Sequence, residues 1–196
     1  MTDRRYHHGD LRTALLAQAE KTLRTSGVDG LSLRELAREV GVSHGAPRRH
    51  FADKVALLDA LAAEGFRQLG VALAEAATPN EPTGFVETFE NVAVAYVRFA
   101  TANPALVDLM SANRYLADAP RELQQARDTA FTAVTELVDA GQSGGELAAG
   151  DPTRIGTLMF AMLHGIAILA NNTMIDPLED TLIRDAVDTL LRGLAP

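Results

Sequence analysis

From Leu11 to the C-terminus the apolar residues recur at helical spacing, and the breaks in that spacing fall at glycines and prolines. No stretch alternates with period two, so nothing in the chain supplies a strand. Gly27, Gly30, Gly41, Pro79, Pro82, Pro104, Pro120, the stretch from Gly141 to Gly150 and Pro177 divide the sequence into about nine helical segments. Composition agrees: 47% of residues are hydrophobic but only 5% are aromatic and Trp is absent, which suits packed helices better than sheets. The expectation is an all-α protein whose 196 residues bury a substantial core, with 141–150 as a flexible loop. The absence of cysteine excludes disulfides, thiolate zinc sites and cysteine nucleophiles.

The best specified part lies near the N-terminus. Leu11, Leu15, Ala19 and Leu23 share one face of a first helix that Gly27 can close in the left-handed conformation. Ser32 and Glu35 then form an S-x-x-E capping box, and Leu33, Leu36, Ala37 and Val40 make the apolar face of a second helix of about two turns. Gly41 can take positive φ, Val42 points inward, and Ser43 is placed to cap a third helix three residues later. Two short helices joined by such a turn make a helix-turn-helix, whose second member enters the DNA major groove, although ordinary αα-corners use the same chemistry.

The charges bear on that choice. The formal net charge is −8, which argues against a polyanionic partner, but residues 1–55 hold ten Lys and Arg against seven Asp and Glu, while the remainder holds eight against nineteen. A basic head on an acidic body would present only the head to DNA. On the third helix His44, Arg48 and Arg49 would project outward, Ser43 offers a hydroxyl and helix-terminal amides to phosphate, and Lys54 opens the next helix. Gly45 allows close backbone approach, and Ala46 is small enough to touch a thymine methyl. Pro47 is discordant, because it removes a backbone donor four residues after Ser43, so the helix is expected to begin distorted or late.

The pattern Ser32-x-x-Glu35-x-Ala37-x-x-x-Gly41-Val42-Ser43, followed by His50-Phe51-x-x-Lys54-x-x-Leu57-Leu58, resembles the N-terminal domain of tetracycline-repressor (TetR) family regulators. The lead-in Arg5-Tyr6-His7-His8-Gly9-Asp10-Leu11-Arg12 is similar to one subgroup, and Leu163-His164-Gly165 resembles that subgroup's Trp-His-Gly motif with the Trp replaced. The resemblance implies an all-α homodimer with three N-terminal helices on a DNA operator, residues 1–53, and a helical effector-binding and dimerisation body, residues 54–196. It implies that Ser43, His44 and Gly45 contact DNA and that Lys54 contacts phosphate; Ser32 and His50 stand in the same motif and are assigned with them. Arg48 departs from the Tyr usual there, and a guanidinium gripping phosphate or guanine is the expected substitute. The arm of Arg4, Arg5 and Tyr6 is placed along the minor groove.

In the acidic body, Asp53 begins a helix of ~25 residues carrying Leu57, Leu58, Leu61, Phe66, Leu69 and Leu73, long enough at ~1.5 Å per residue to act as a lever. Phe85, Phe89, Val92, Tyr96 and Phe99 line one face of the next helix, and four of the chain's ten aromatic residues lie on that stripe. It is the expected wall of an apolar effector pocket, with Met110, Tyr115, Leu116, Phe131 and Val134 as further walls, Phe160 beside them, and Tyr96, His164 or Asn113 offering the polar contacts. His164, one turn after Phe160, reads as either a hydrogen-bonded core histidine or a ligand contact. The nearly uncharged stretch Ile155–Ala170 is apolar all round and falls short of the ~20 residues that span a bilayer, so it is expected to be buried on all sides. Asp176-Pro177-Leu178-Glu179 has the form of a cap, an N1 proline and an acidic third residue, opening a last helix. Helices around 152–171 and 177–194 from two copies are the expected dimer interface.

No catalytic or metal-ligand constellation and no phosphate-binding glycine loop is evident, so no enzyme activity, metal or cofactor is expected. Residues 1–12 hold three arginines, two histidines and two aspartates without an apolar run, unlike a secretory signal, so a cytoplasmic protein without membrane association is expected. The sequence reads as a DNA-binding transcriptional regulator, a ligand-responsive repressor on a palindromic operator. The alternative is an all-α module binding a lipid-like or apolar small molecule without DNA-binding activity.

Overall fold

The computed structural model describes residues 8–78, 83–112 and 119–195. Every regular element among them is helical: α1 (His8–Ser26), α2 (Leu33–Val40), a 3-10 turn (Pro47–Arg49), α3 (Lys54–Ala77), α4 (Phe85–Ala102), α5 (Pro104–Ser111), α6 (Arg121–Ala130), α7 (Thr132–Gly144), α8 (Pro152–Asn171) and α9 (Asp180–Leu194). Two compact units result, Met1–Gly65 with Ala105–Gln125 and Phe66–Pro104 with Ala126–Pro196, a grouping by contact that cuts α3 internally.

In the first unit α1 buries Leu15, Leu16, Ala19 and Leu23. It ends at Gly27, at φ +65°, whose N–H donates to the Leu23 carbonyl at 3.0 Å. α2 packs on α1 through Leu36 and Ala37, its two buried residues. Gly41, at φ +78°, closes it: the Val42 N–H donates to Ala37 and the Gly41 N–H to Arg38, the paired bonds of a Schellman motif. The expected capping box does not form. Ser32 holds the extended N-cap backbone but its side chain caps nothing, and the Glu35 carboxylate is taken by Arg38 three residues on. Asp53 does cap α3, its Oδ1 accepting the Ala56 N–H at 2.9 Å. A Cβ on Gly65 would stand 2.7 Å from Met110 Sδ, so the missing side chain is what lets α5 lie against α3.

In the second unit α4 packs against α7, α8 and α9, and α8 against α7 and α9. Phe89, Val92, Ala93, Tyr96 and Val97 of α4 meet Ile155, Met159, Leu163 and Ala167 of α8 and Ile183 and Val187 of α9 in the core. Polar ties run outside it: Arg184 donates to Glu90 at 2.7 Å and to Asn91 at 3.0 Å, and Arg98 Nε donates to Asp180 at 2.8 Å.

Three expectations are corrected here. The stretch 141–150 is organised: α7 runs to Gly144, Gly145 turns the chain at φ +83°, Leu147 is buried, and the Gln142 amide donates to the Ala148 and Gly150 carbonyls. The last helix begins at Asp180, not Pro177, with Glu179 at the N-cap position and Arg98 holding Asp180 in the first turn. α8 has 20 residues, capped by Asp151 through the Thr153 N–H at 2.9 Å, and by length and composition it is long and apolar enough to cross a bilayer. Nor is it buried on all sides, because Leu158, Phe160, Ile168 and Leu169 are exposed in the single chain.

Candidate nucleic-acid interface and ligand chamber

The segment after α2 decides how the first unit can meet DNA. Val42 is half-buried, and the Ser43 carbonyl accepts the Ala46 N–H at 2.9 Å in a turn. An α-helix capped by Ser43 would next need an N–H at residue 47. Pro47 has none, and it becomes instead the first residue of the 3-10 turn, buried against the unit. The Arg49 N–H donates to Ala46 at 3.2 Å, and the His50 and Phe51 N–H groups share the Pro47 carbonyl at 2.9 Å each. The expected third α-helix is therefore corrected to a tight turn followed by one 3-10 turn.

That geometry sorts the residues cleanly. Pro47 and Phe51 face inward, while Ser43, His44, Gly45, Arg48 and Arg49 are exposed, Ala46 and His50 are half-buried, and Lys54 is half-buried at the first position of α3. Ser32 is half-buried at the start of α2, which packs on the 3-10 turn. The Phe51 ring is 2% exposed and carries the Arg12 guanidinium 5.7 Å from its centroid, a charge also paired with Glu122 at 3.1 Å. Arg12 is thus held against the base of this turn by Phe51 and Glu122. The arm residues Arg4, Arg5 and Tyr6 lie outside the described residues. Arg34, exposed on α2 two residues after Ser32, is a further cation of this basic segment that sequence reasoning did not assign.

In the second unit a small cavity of about 40 Å³ is lined by Leu73, Val92, Tyr96, Phe131, Val134, Gly156, Met159, Phe160 and Leu163. Of the expected wall residues, Val92, Tyr96, Phe131, Val134 and Phe160 meet here. His164 stands behind them, its Nδ1 sharing a hydrogen bond with the Tyr96 hydroxyl at 3.0 Å and its ring stacked on Phe160 at 5.1 Å. Burial pushes the Tyr96 hydroxyl well above the ordinary phenol range, so it keeps its proton. Phe85, Phe89 and Met110 do not line the cavity: Phe85 lies against Gly141, Phe89 is fully buried with Phe85 at 5.6 Å, and Met110 covers Gly65 in the first unit. Asn113, Tyr115 and Leu116 lie outside the described residues. Leu73 and Gly156 were not anticipated as walls; the only signal for Gly156 was its place one turn before Phe160.

Residues 15–61 match the model for bacterial regulatory proteins of the tetR family, and residues 89–194 match a tetracyclin repressor-like C-terminal domain. A search of curated proteins finds no match. Among solved structures, a protein of unknown function from Rhodococcus sp. RHA1 is 44% identical, with a TM-score of 0.88 over 99% of this chain and 100% of that one. TetR-family transcription regulators from Marinobacter aquaeolei and Thermus thermophilus share the fold. The first is 18% identical with TM-score 0.74 over 94% of this chain and 95% of that one; the second is 21% identical with TM-score 0.67 over 93% and 99%. With both family models matched in chain order, and a helix-turn-helix unit preceding a helical body, the chain belongs to the tetracycline-repressor (TetR) family of DNA-binding transcriptional regulators.

Proposed function

We propose that the protein is a ligand-responsive repressor that acts in the cytoplasm, without catalytic activity, as a homodimer on a palindromic operator. One observation carries the DNA-binding half of this reading: Ser43, His44, Gly45, Arg48 and Arg49 are all exposed on a short turn whose other side is anchored by buried Pro47 and Phe51. Hydroxyl, imidazole, bare backbone and two guanidinium groups are the donors that phosphates and guanine edges accept from. Ser32, His50 and Lys54 flank the turn for backbone contacts, and Arg4, Arg5 and Tyr6 extend into the adjacent minor groove. Functionally the head is residues 1–53 and the body 54–196.

Support for the dimer comes from apolar surface left uncovered. Leu158, Met162, Ala186, Leu190 and Leu194 line an open groove along α8 and α9, and Leu158 is 44% exposed. A second copy supplying the same two helices would cover it by an isologous four-helix contact. The cavity around Tyr96 and Phe131 is the effector chamber, and the likeness of Leu163-His164-Gly165 to a Trp-His-Gly motif supports membership of that subgroup. The 3-10 recognition turn presents less surface than a full helix, which favours a second reading, an apolar-ligand module with an inactive head. A gel shift with fragments of the source genome separates the two: retarded bands lost on adding salt support the regulator, and no band at any salt supports the module.

A further inference from the structure

We propose that the chamber takes a small aromatic alcohol of the phenol class, one planar ring bearing one hydroxyl, and that the Phe160 ring holds that ligand's place. This rests on the ligand-responsive reading above. The Phe160 ring is bounded by three others: it stacks on His164 at 5.1 Å and 13°, and meets Tyr96 edge-on at 5.8 Å and Phe131 edge-on at 6.3 Å and 87°. These are the arrangements that aromatic quadrupoles prefer, so the cage selects a flat ring over a saturated one. Yet Phe160 is 40% exposed, which makes it a loosely held occupant. Gly156, one turn earlier on the same side of α8, has nothing within 4 Å of where a Cβ would stand, leaving room for the displaced ring.

The empty space beside that ring admits a small substituent. The cavity's about 40 Å³ exceeds the ~10–15 Å³ that a single water needs, so a hydroxyl fits beside the ring. None of the lining residues is charged, so a carboxylate or ammonium would enter without a counterion. The one polar side chain among them is Tyr96, paired with His164, and a neutral hydroxyl can join that pair as donor and acceptor.

The test is an NMR titration of the full chain with phenol, toluene and cyclohexanol, following the Val92, Met159 and Leu163 methyl signals. The expected result is saturation at one site per chain, with phenol binding at least tenfold tighter than cyclohexanol. Tyr96→Phe should reduce phenol to the affinity of toluene, and Phe160→Leu, which removes the resident ring, should tighten phenol binding severalfold. Cyclohexanol binding as tightly as phenol would overturn the aromatic ligand while leaving an apolar chamber intact. Shifts confined to other methyls would overturn the site. Failure of all three compounds to bind either the parent or Phe160→Leu would overturn both this inference and the chamber.

Discussion

Arg48 and Arg49 are adjacent and both exposed, yet they need not do the same work. A base-edge contact is worth about 1–3 kcal/mol and shows as relaxed specificity at one operator position; a phosphate contact weakens every sequence alike and lowers the salt slope by about one. Alanine at each position, measured on operator and random DNA across salt, should move at least one of these readouts, and two variants indistinguishable from the parent would remove the turn from the interface. Gly41→Ala forces a Cβ into φ +78° and should cost about 1–2 kcal/mol in urea denaturation, although the space beside it is empty. Tyr96 makes a pH prediction. Its folded pKa is raised by burial above the ~10 of an unfolded chain, so below ~10 both states hold the proton. Above it the unfolded chain alone releases one. Stability should therefore fall as pH rises past ~10, by up to ~1.4 kcal/mol per unit, and Tyr96→Phe should lack that contribution in urea titrations at about pH 9–11.

At the scale of elements, Pro47 is what keeps an α-helix from starting at Ser43. Pro47→Ala restores the N–H that Ser43 lacks, and helical Cα chemical shifts should then extend back through residues 44–46; unchanged shifts would mean that something else truncates it. The discordance of this proline was legible in the sequence, as were Gly27 and Gly41, because positive φ and a missing donor are properties of a residue's own backbone. What the sequence misjudged were choices between competing partners. Glu35 could serve the Ser32 backbone or Arg38, and the cation won. Asp176 and Glu179 both precede an apolar run, and Arg98 on α4, 82 residues from Asp180, pairs with the first turn of the helix that starts after the second of them. The stripe from Phe85 to Phe99 identified a helix face correctly but not which neighbour each ring would meet: Phe85 went to Gly141 of α7, while Tyr96 went to Phe160 and His164 of α8. Periodicity assigns faces, and only the packing of α4 on three helices at once assigns partners.

For the whole molecule, the proposed function joins a basic DNA head to an acidic body that would pair with a copy of itself and respond to a ligand. Leu158→Asp places a charge in the proposed α8–α9 contact and should convert dimer to monomer in sedimentation, with operator affinity falling because each head then binds alone. An effector that weakens operator binding does so by its differential affinity for the two states, typically about 1–3 kcal/mol, and operator must weaken effector binding equally. The most direct test of the central claim is selection of genomic fragments by the protein, followed by footprinting across a salt series. A dimeric regulator predicts one protected sequence with two half-sites related by a twofold axis, and log K falling with log salt by about 0.9 for each phosphate contact. A protected region without twofold symmetry, bound with an affinity indifferent to salt, would contradict it.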